Sequence, residues 1–252
     1  MSGVFSLEGR RAMVTGANTG IGQGIALAMA EAGAEVLAVG RSSMAETEAA
    51  IRAVGGKVVA IKADLGKSKT VAAMLDSAWD AHGPIDVLVN NAGIIRRADA
   101  VDFSETDWDD VMEINLKSVF LLCQALARRA FAEKRTARIV NVASLLSFQG
   151  GIRVASYTAS KSGLAGLTRI LANEWAAKGI NVNAIAPGYI VTNNTEALRN
   201  DPERSTDILK RIPAGRWGKA SDIGGTAVYL ASDAANYVHG AVLPVDGGWL
   251  AR

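Results

Sequence analysis

Apolar stretches of strand length alternate with stretches of helical periodicity along the whole chain. RAMVT (11–15) precedes GIGQGIALAMAEAG (20–33), whose apolar residues recur at helical spacing and which Gly33 ends. The pair repeats: EVLAVG (35–40) with a helix over about 44–54, KVVAIKADL (57–65) with one over about 68–82, then IDVLVNNAG (85–93) with one long helix over about 105–133. ARIVNVAS (137–144) leads into a helix over about 155–178, and INVNAIAPG (180–188), helical patches near 195–211 and 221–232, and AVLPVDGG (241–248) complete the series. Strands that are apolar on both faces need cover on both faces, and a helix between consecutive strands makes them parallel. The pattern predicts one α/β domain over residues 1–252, a doubly wound parallel sheet whose ligand lies outside the C-terminal strand ends. No repeat, low-complexity segment or linker interrupts it.

Composition fits a large core, since 49% of the 252 residues are hydrophobic and only 21% are charged. Twenty-seven basic and 25 acidic residues leave a net charge of +2, and the basic ones are scattered, with doublets such as Arg10-Arg11, Arg96-Arg97 and Arg128-Arg129. Nucleic acid is therefore not expected as the main partner. No apolar run approaches the roughly 18 residues of a membrane helix, and MSGVFSLEGRRAMVTG lacks a basic segment followed by a long apolar run, so a cytoplasmic protein with no membrane partner is expected. The lone Cys123, in VFLLCQALA, reads as a packed thiol, and His82 and His239 lack companion ligands, so no metal is expected.

Every segment with chemical character falls at or after a strand end. TGANTGIG places Gly16, Gly20 and Gly22 between the first strand and first helix, with Asn18, Thr19 and Ile21 beside them. Glycines there allow a tight turn and close approach of a pyrophosphate to helix N-terminal amides, the Rossmann-type dinucleotide arrangement. The second strand ends in VGRSS, without the acid that would bind a ribose 2′-hydroxyl. Gly40 removes a repelling carboxylate, and Arg41 with Ser42 and Ser43 suits a 2′-phosphate, so NADP(H) is favoured and NAD(H) stays possible. Arg41 could instead stack on adenine or be solvated. Asp64, with Leu65 after it, could meet the adenine amino group or simply make a turn. Asn91, Ala92 and Gly93 of NNAG let backbone pass close to a cofactor.

In SYTASKSG (156–163), Tyr157 and Lys161 share a helix face one turn apart. A cation beside a phenol stabilises the phenolate and lowers its pKa, and the small residues Thr158, Ala159 and Ser160 leave room for ligands. Taken singly, Tyr157 could be a packing residue, Lys161 solvated, Ser144 a cap and Asn115 a kink residue.

In order and spacing, TGANTGIG, NNAG, Asn115, Ser144, YTASK and PGYIVT resemble the short-chain dehydrogenase/reductase family over essentially the whole chain. The resemblance implies hydride transfer to or from a nicotinamide. Tyr157 would be the general acid/base, Ser144 would orient the substrate oxygen, Lys161 would hold the nicotinamide ribose, and Asn115 would anchor a water on a proton route. Pro187, Gly188, Ile190 and Thr192 would flank the nicotinamide, residues from about 189 to 217 would cover the substrate, and the assembly would be a tetramer. RIPAGRWG, SFQGGIR and VDGGWLAR are further similar to family members that act on keto-deoxy sugar acids. NAD use is common in that group, and VGRSS departs from it. Other reductase activities, on 3-oxoacyl thioesters or polyols, remain open, as does a cofactor-binding sensor without turnover.

A sugar acid needs a cation for its carboxylate and partners for its hydroxyls. Arg96 and Arg97 follow NNAG, Gln149 and Arg153 follow Ser144, and Arg216 and Trp217 lie in the covering segment. Arg153 and Arg96 are the expected carboxylate partners, with Gln149 reading a hydroxyl; a surface or subunit-interface salt bridge is the alternative for each arginine. Trp249 is expected at a subunit contact.

Overall fold

The computed structural model describes residues 3–252; residues 1 and 2, which head the stretch read for an export signal and the expected domain, lie outside it. The elements run β1 (Arg11–Thr15), α1 (Gly20–Glu31), β2 (Glu35–Gly40), α2 (Ala45–Ala53), β3 (Val58–Lys62), α3 (Ser68–His82), β4 (Val87–Asn90) and α4 (Glu105–Met112). After α4 come α5 (Ser118–Ala132), β5 (Ala137–Val142), α6 (Ala155–Trp175), β6 (Ile180–Pro187), α7 (Glu196–Arg199), α8 (Pro202–Arg211), α9 (Ala220–Ala231) and β7 (Val242–Val245). The strands form one sheet in the order β3-β2-β1-β4-β5-β6-β7, and every pairing is parallel. This is a Rossmann-type α/β fold. The chain winds outward from β1 to β3 and returns to the other side of β1 as β4, so the strand order switches between β1 and β4.

Alternation along the strands divides the core between the two faces. Met13, Leu37, Leu88 and Ile139 pack with Leu75 and Trp79 of α3, Leu122 and Leu126 of α5, and Leu164 and Leu171 of α6. Their neighbours Val14, Val36, Val89 and Val140 point the other way, to Ile25 and Met29 of α1, Ile51 of α2, and Ile223 and Leu230 of α9. Each such buried aliphatic side chain contributes about 1.5–3 kcal/mol relative to exposure.

Two expectations are corrected. The single helix over 105–133 is broken by a π-helical turn, Glu113–Lys117, whose Asn115 turns its side chain onto the backbone of Ile94. EINLK holds no glycine or proline, so periodicity alone could not reveal the extra residue. The patch near 195–211 is two helices, α7 and α8, with Asp201 capping the second through the Arg204 amide (3.0 Å) and Pro202 in its first turn. Among the described residues, no helix is long and apolar enough to cross a membrane, and no group of three His, Cys, Asp or Glu is placed to hold a metal ion.

Candidate active site

A cleft of ≈ 420 Å³ opens at the β1/β4 switch. Its floor is tied by Thr15, whose hydroxyl accepts the Asn91 and Ala92 amides (3.0 and 3.1 Å) and donates to the Val89 carbonyl. The Asn91 side-chain Nδ2 donates back to the carbonyls of Thr15 (3.0 Å) and Gly16 (3.3 Å), locking NNAG against the glycine turn. A Cβ at Gly22 would sit 2.1 Å from the Gly16 carbonyl oxygen, so only glycine permits this close turn, and Gly16 itself has φ +64°. Helix α1 carries no acid in its first turn and no side-chain cap, which leaves its first amides and positive dipole end for an anionic ligand. The cradle fits a dinucleotide pyrophosphate.

At the far end, Asn18 donates to the Ser42 hydroxyl (2.8 Å) beside exposed Arg41. A Cβ at Gly40 would lie 2.1 Å from Met44 Cε and 3.2 Å from Asn18 Oδ1. An acid there would thus crowd its neighbours as well as repel a phosphate. The cofactor residues named from sequence line the cleft except Gly22, which lies beneath the turn, and Ser43, which lies outside it. Reasoning from motifs missed Thr15 as the floor tie, and missed Ile94 and Ile114, which also line the cleft, as do Asn193 to Thr195 of the 189–217 segment. The first is visible only as a strand-end Thr; the others belong to no pattern of spacing.

Ser144, Tyr157 and Lys161 meet at the cleft's inner wall. The buried Lys161 ammonium donates to the Val142 carbonyl (2.6 Å) and lies 5.6 Å from the centre of the Tyr157 ring. No carboxylate offsets its burial, so its pKa is pushed down to about 8. The Tyr157 phenol is raised rather than lowered: burial outweighs the opposing effects of a hydrogen bond from Ser144 and the charge of Arg97. The lowering expected from Lys161 is therefore not seen: the cation that acts on the phenol is Arg97, and burial outweighs it. Asn115 is fully buried; its Oδ1 accepts the Ile94 amide and its Nδ2 donates to the Ile94 carbonyl, both at 2.9 Å, and to Ser160 Oγ at 3.3 Å. It braces the loop after NNAG against α6.

The residues named for the substrate do not line the cleft, and surface chemistry explains each. Arg96 pairs with Asp107 (3.0 Å) and Asp110 (3.3 Å) of α4. Arg153, held at φ 63°, pairs with Asp99 (3.2 Å). Arg216 forks onto Asp222 of α9 (2.7 and 2.9 Å). Gln149 accepts from the Trp249 indole (3.2 Å), and Trp217 stacks edge-on against Tyr189. Arg97, passed over in favour of its neighbour, is exposed and also outside the cleft lining, but it donates to the carbonyl of Asn194 (3.2 Å), a residue that does line the cleft. Both ends of the 189–217 segment are pinned together, with Val191 and Gly218 amides donating to the Gly218 and Tyr189 carbonyls (2.8 and 2.9 Å).

A family model described as enoyl-(acyl carrier protein) reductase matches residues 16–250. The chain is 56% identical over 248 residues to 2-dehydro-3-deoxy-D-gluconate 5-dehydrogenase of Escherichia coli (strain K12), with 98% of each covered. Among solved structures it resembles an Agrobacterium tumefaciens protein provisionally named 2-deoxy-D-gluconate 3-dehydrogenase, with bound NADP (62% identity, all of both chains, TM-score 0.95). It also resembles a gluconate 5-dehydrogenase from Burkholderia cenocepacia J2315 in complex with NADP and tartrate (38% identity, 99% and 98% covered, TM-score 0.93).

Proposed function

The chain belongs to the short-chain dehydrogenase/reductase family, and we propose that it transfers hydride between NADP(H) and a keto-deoxy sugar acid, as a dehydrogenase of the 2-dehydro-3-deoxy-D-gluconate 5-dehydrogenase or 2-deoxy-D-gluconate 3-dehydrogenase type. The observation that carries this reading is Ser144, Tyr157 and Lys161 together on the inner wall of a phosphate-ready cleft, in a chain so similar to sugar-acid dehydrogenases. The substrate carboxylate meets Arg97, which needs only to leave the Asn194 carbonyl.

When bound, the nicotinamide supplies or accepts the hydride. Gly16, Thr19, Gly20 and Ile21 would hold the pyrophosphate, with Gly22 allowing the turn beneath them; Asp64 and Leu65 would border the adenine, and Arg41, Ser42 and Asn18 would hold the 2′-phosphate. Pro187, Gly188, Ile190 and Thr192 flank the nicotinamide. Tyr157 gives a proton to the substrate carbonyl oxygen during reduction and takes it back during oxidation, while Ser144 holds that oxygen. Lys161, near neutrality through burial, keeps a proton close to the phenol and binds the ribose. Asn115 fixes the loop that carries Arg97.

One catalytic domain with its substrate cover at about 189–217 accounts for the chain. It works in the cytoplasm as a homo-oligomer, a tetramer on family grounds, and the apolar groove formed by Leu116, Phe120 and Leu167 on α5, α6 and the π turn supports a second copy there.

Initial rates of reduction of 2-dehydro-3-deoxy-D-gluconate, with NADPH and NADH side by side, test the reading. Turnover with NADPH preferred is expected; turnover of 3-oxoacyl thioesters instead would overturn the substrate class.

A further inference from the structure

We propose that the last residues of the chain latch the substrate cover, with Trp249 as the positioning residue that sets how α8 sits over the bound sugar acid. The proposal rests on reading 189–217 as that cover.

Trp249 is only 4% exposed and sits at the centre of a small cluster separate from the two main cores. Its partners come from three functional segments: Leu145, the residue after Ser144; Ile208 and Ile212 at the end of the cover; and Tyr189 and Trp217 at its two pinned ends. The ring stacks on Tyr189, with centroids 4.7 Å apart, and its indole N–H donates to Gln149 of the loop after Ser144. On the cover side the Arg211 guanidinium lies 4.1 Å from the Trp249 ring centre. Arg252 then donates to the carbonyls of Lys210 (2.5 Å) and Arg211 (3.2 Å), the last of α8. These carbonyls have no partner within the helix, and a cation at a helix C-terminus is favourable.

The backbone is built for this return. Gly247 and Gly248 have φ +66° and +90°, and a Cβ at either would come within 2.9 Å of Ile212 or Pro213. Asp246 caps the turn through the Gly248 and Leu250 amides, both at 2.9 Å, and the Ala214 amide donates to the Gly247 carbonyl (2.9 Å). One indole therefore touches the Ser144 loop, the hinge of the cover and its principal helix. Since the cover's two ends are pinned at Gly218, motion is confined to the part between them, which is the part Trp249 and Arg252 hold.

The test compares Trp249→Ala, Trp249→Phe and Arg252→Ala by limited trypsin digestion and steady-state kinetics. Wild type is cut slowly after Arg199, Arg204, Lys210 and Arg211. Trp249→Ala speeds those cuts about tenfold and raises KM for 2-dehydro-3-deoxy-D-gluconate about as much, with kcat and KM for NADPH within about twofold. Trp249→Phe, which keeps the ring beneath Arg211, restores most of both. Arg252→Ala lies on an exposed tail and carries the test if Trp249→Ala does not fold. Unchanged digestion and KM in the variants overturn the latch, as does faster digestion spread evenly over the chain. If the wild type turns over no sugar acid, the substrate reading fails and the digestion pattern alone decides the latch.

Discussion

The floor of the cleft and the surface around it fix their polar side chains under opposite rules. On the floor, Thr15, Asn91, Asn115 and Lys161 are buried or nearly so, and each donor and acceptor that matters is aimed by a specific backbone group. On the rim, Arg96, Arg153 and Arg216 are exposed enough to be captured by the nearest carboxylate, Asp107, Asp99 and Asp222. A buried polar group has few solutions that avoid a desolvation penalty, whereas a surface arginine has many of similar energy. Residue identity therefore foretells position on the floor and fails to do so on the rim.

The contrast is sharpest at Tyr157. Tyr157→Phe keeps the ring and removes the proton, so turnover should fall by about 10³-fold or more while NADPH affinity, followed by fluorescence titration, stays within about twofold. Residual turnover near wild type would break the floor assignment. Arg97→Ala tests the arginine that bonds to cleft-lining Asn194: KM for the sugar acid should rise about ten- to hundredfold, as expected for losing a hydrogen bond between charged groups, with NADPH binding unchanged.

Lys161 tests the energetics of the floor. Its pKa falls on folding to about 8, from 10.5, so its pH-dependent contribution is destabilising, full below about 8 and fading to nothing as pH rises to the unfolded value. Thermal melts of cofactor-free wild type and Lys161→Met should show the wild type at its greatest relative disadvantage at pH 7, with the gap narrowing between about pH 8 and 10.5. A gap independent of pH would mean that the charge is not buried as described. At the small end, Arg96→Ala and Arg216→Ala should leave kcat/KM within about twofold, because exposed ion pairs contribute little. A tenfold loss in either would return that arginine to the site.

Much of this was readable in advance. β1 and α3 fall where periodicity places them, and the cofactor residues converge because each follows a strand whose C-terminal end meets the switch point. The π turn at Asn115 was not readable, because the extra residue is stabilised by Ile94, 21 positions away. The spacing of Tyr157 to Lys161 predicts a lowered pKa, yet spacing carries no information about burial, which dominates here.

Sequence alone determined the alternating architecture, the glycine turn and the Tyr157–Lys161 pair, since these depend on local periodicity, on φ angles only glycine adopts readily and on helical spacing. Only the tertiary structure decided which surface arginine bonds to a cleft-lining residue, that burial dominates at the phenol and that Trp249 is buried against the 189–217 segment within one chain. Those outcomes are set by competition among partners distant in sequence, and no single segment contains both competitors.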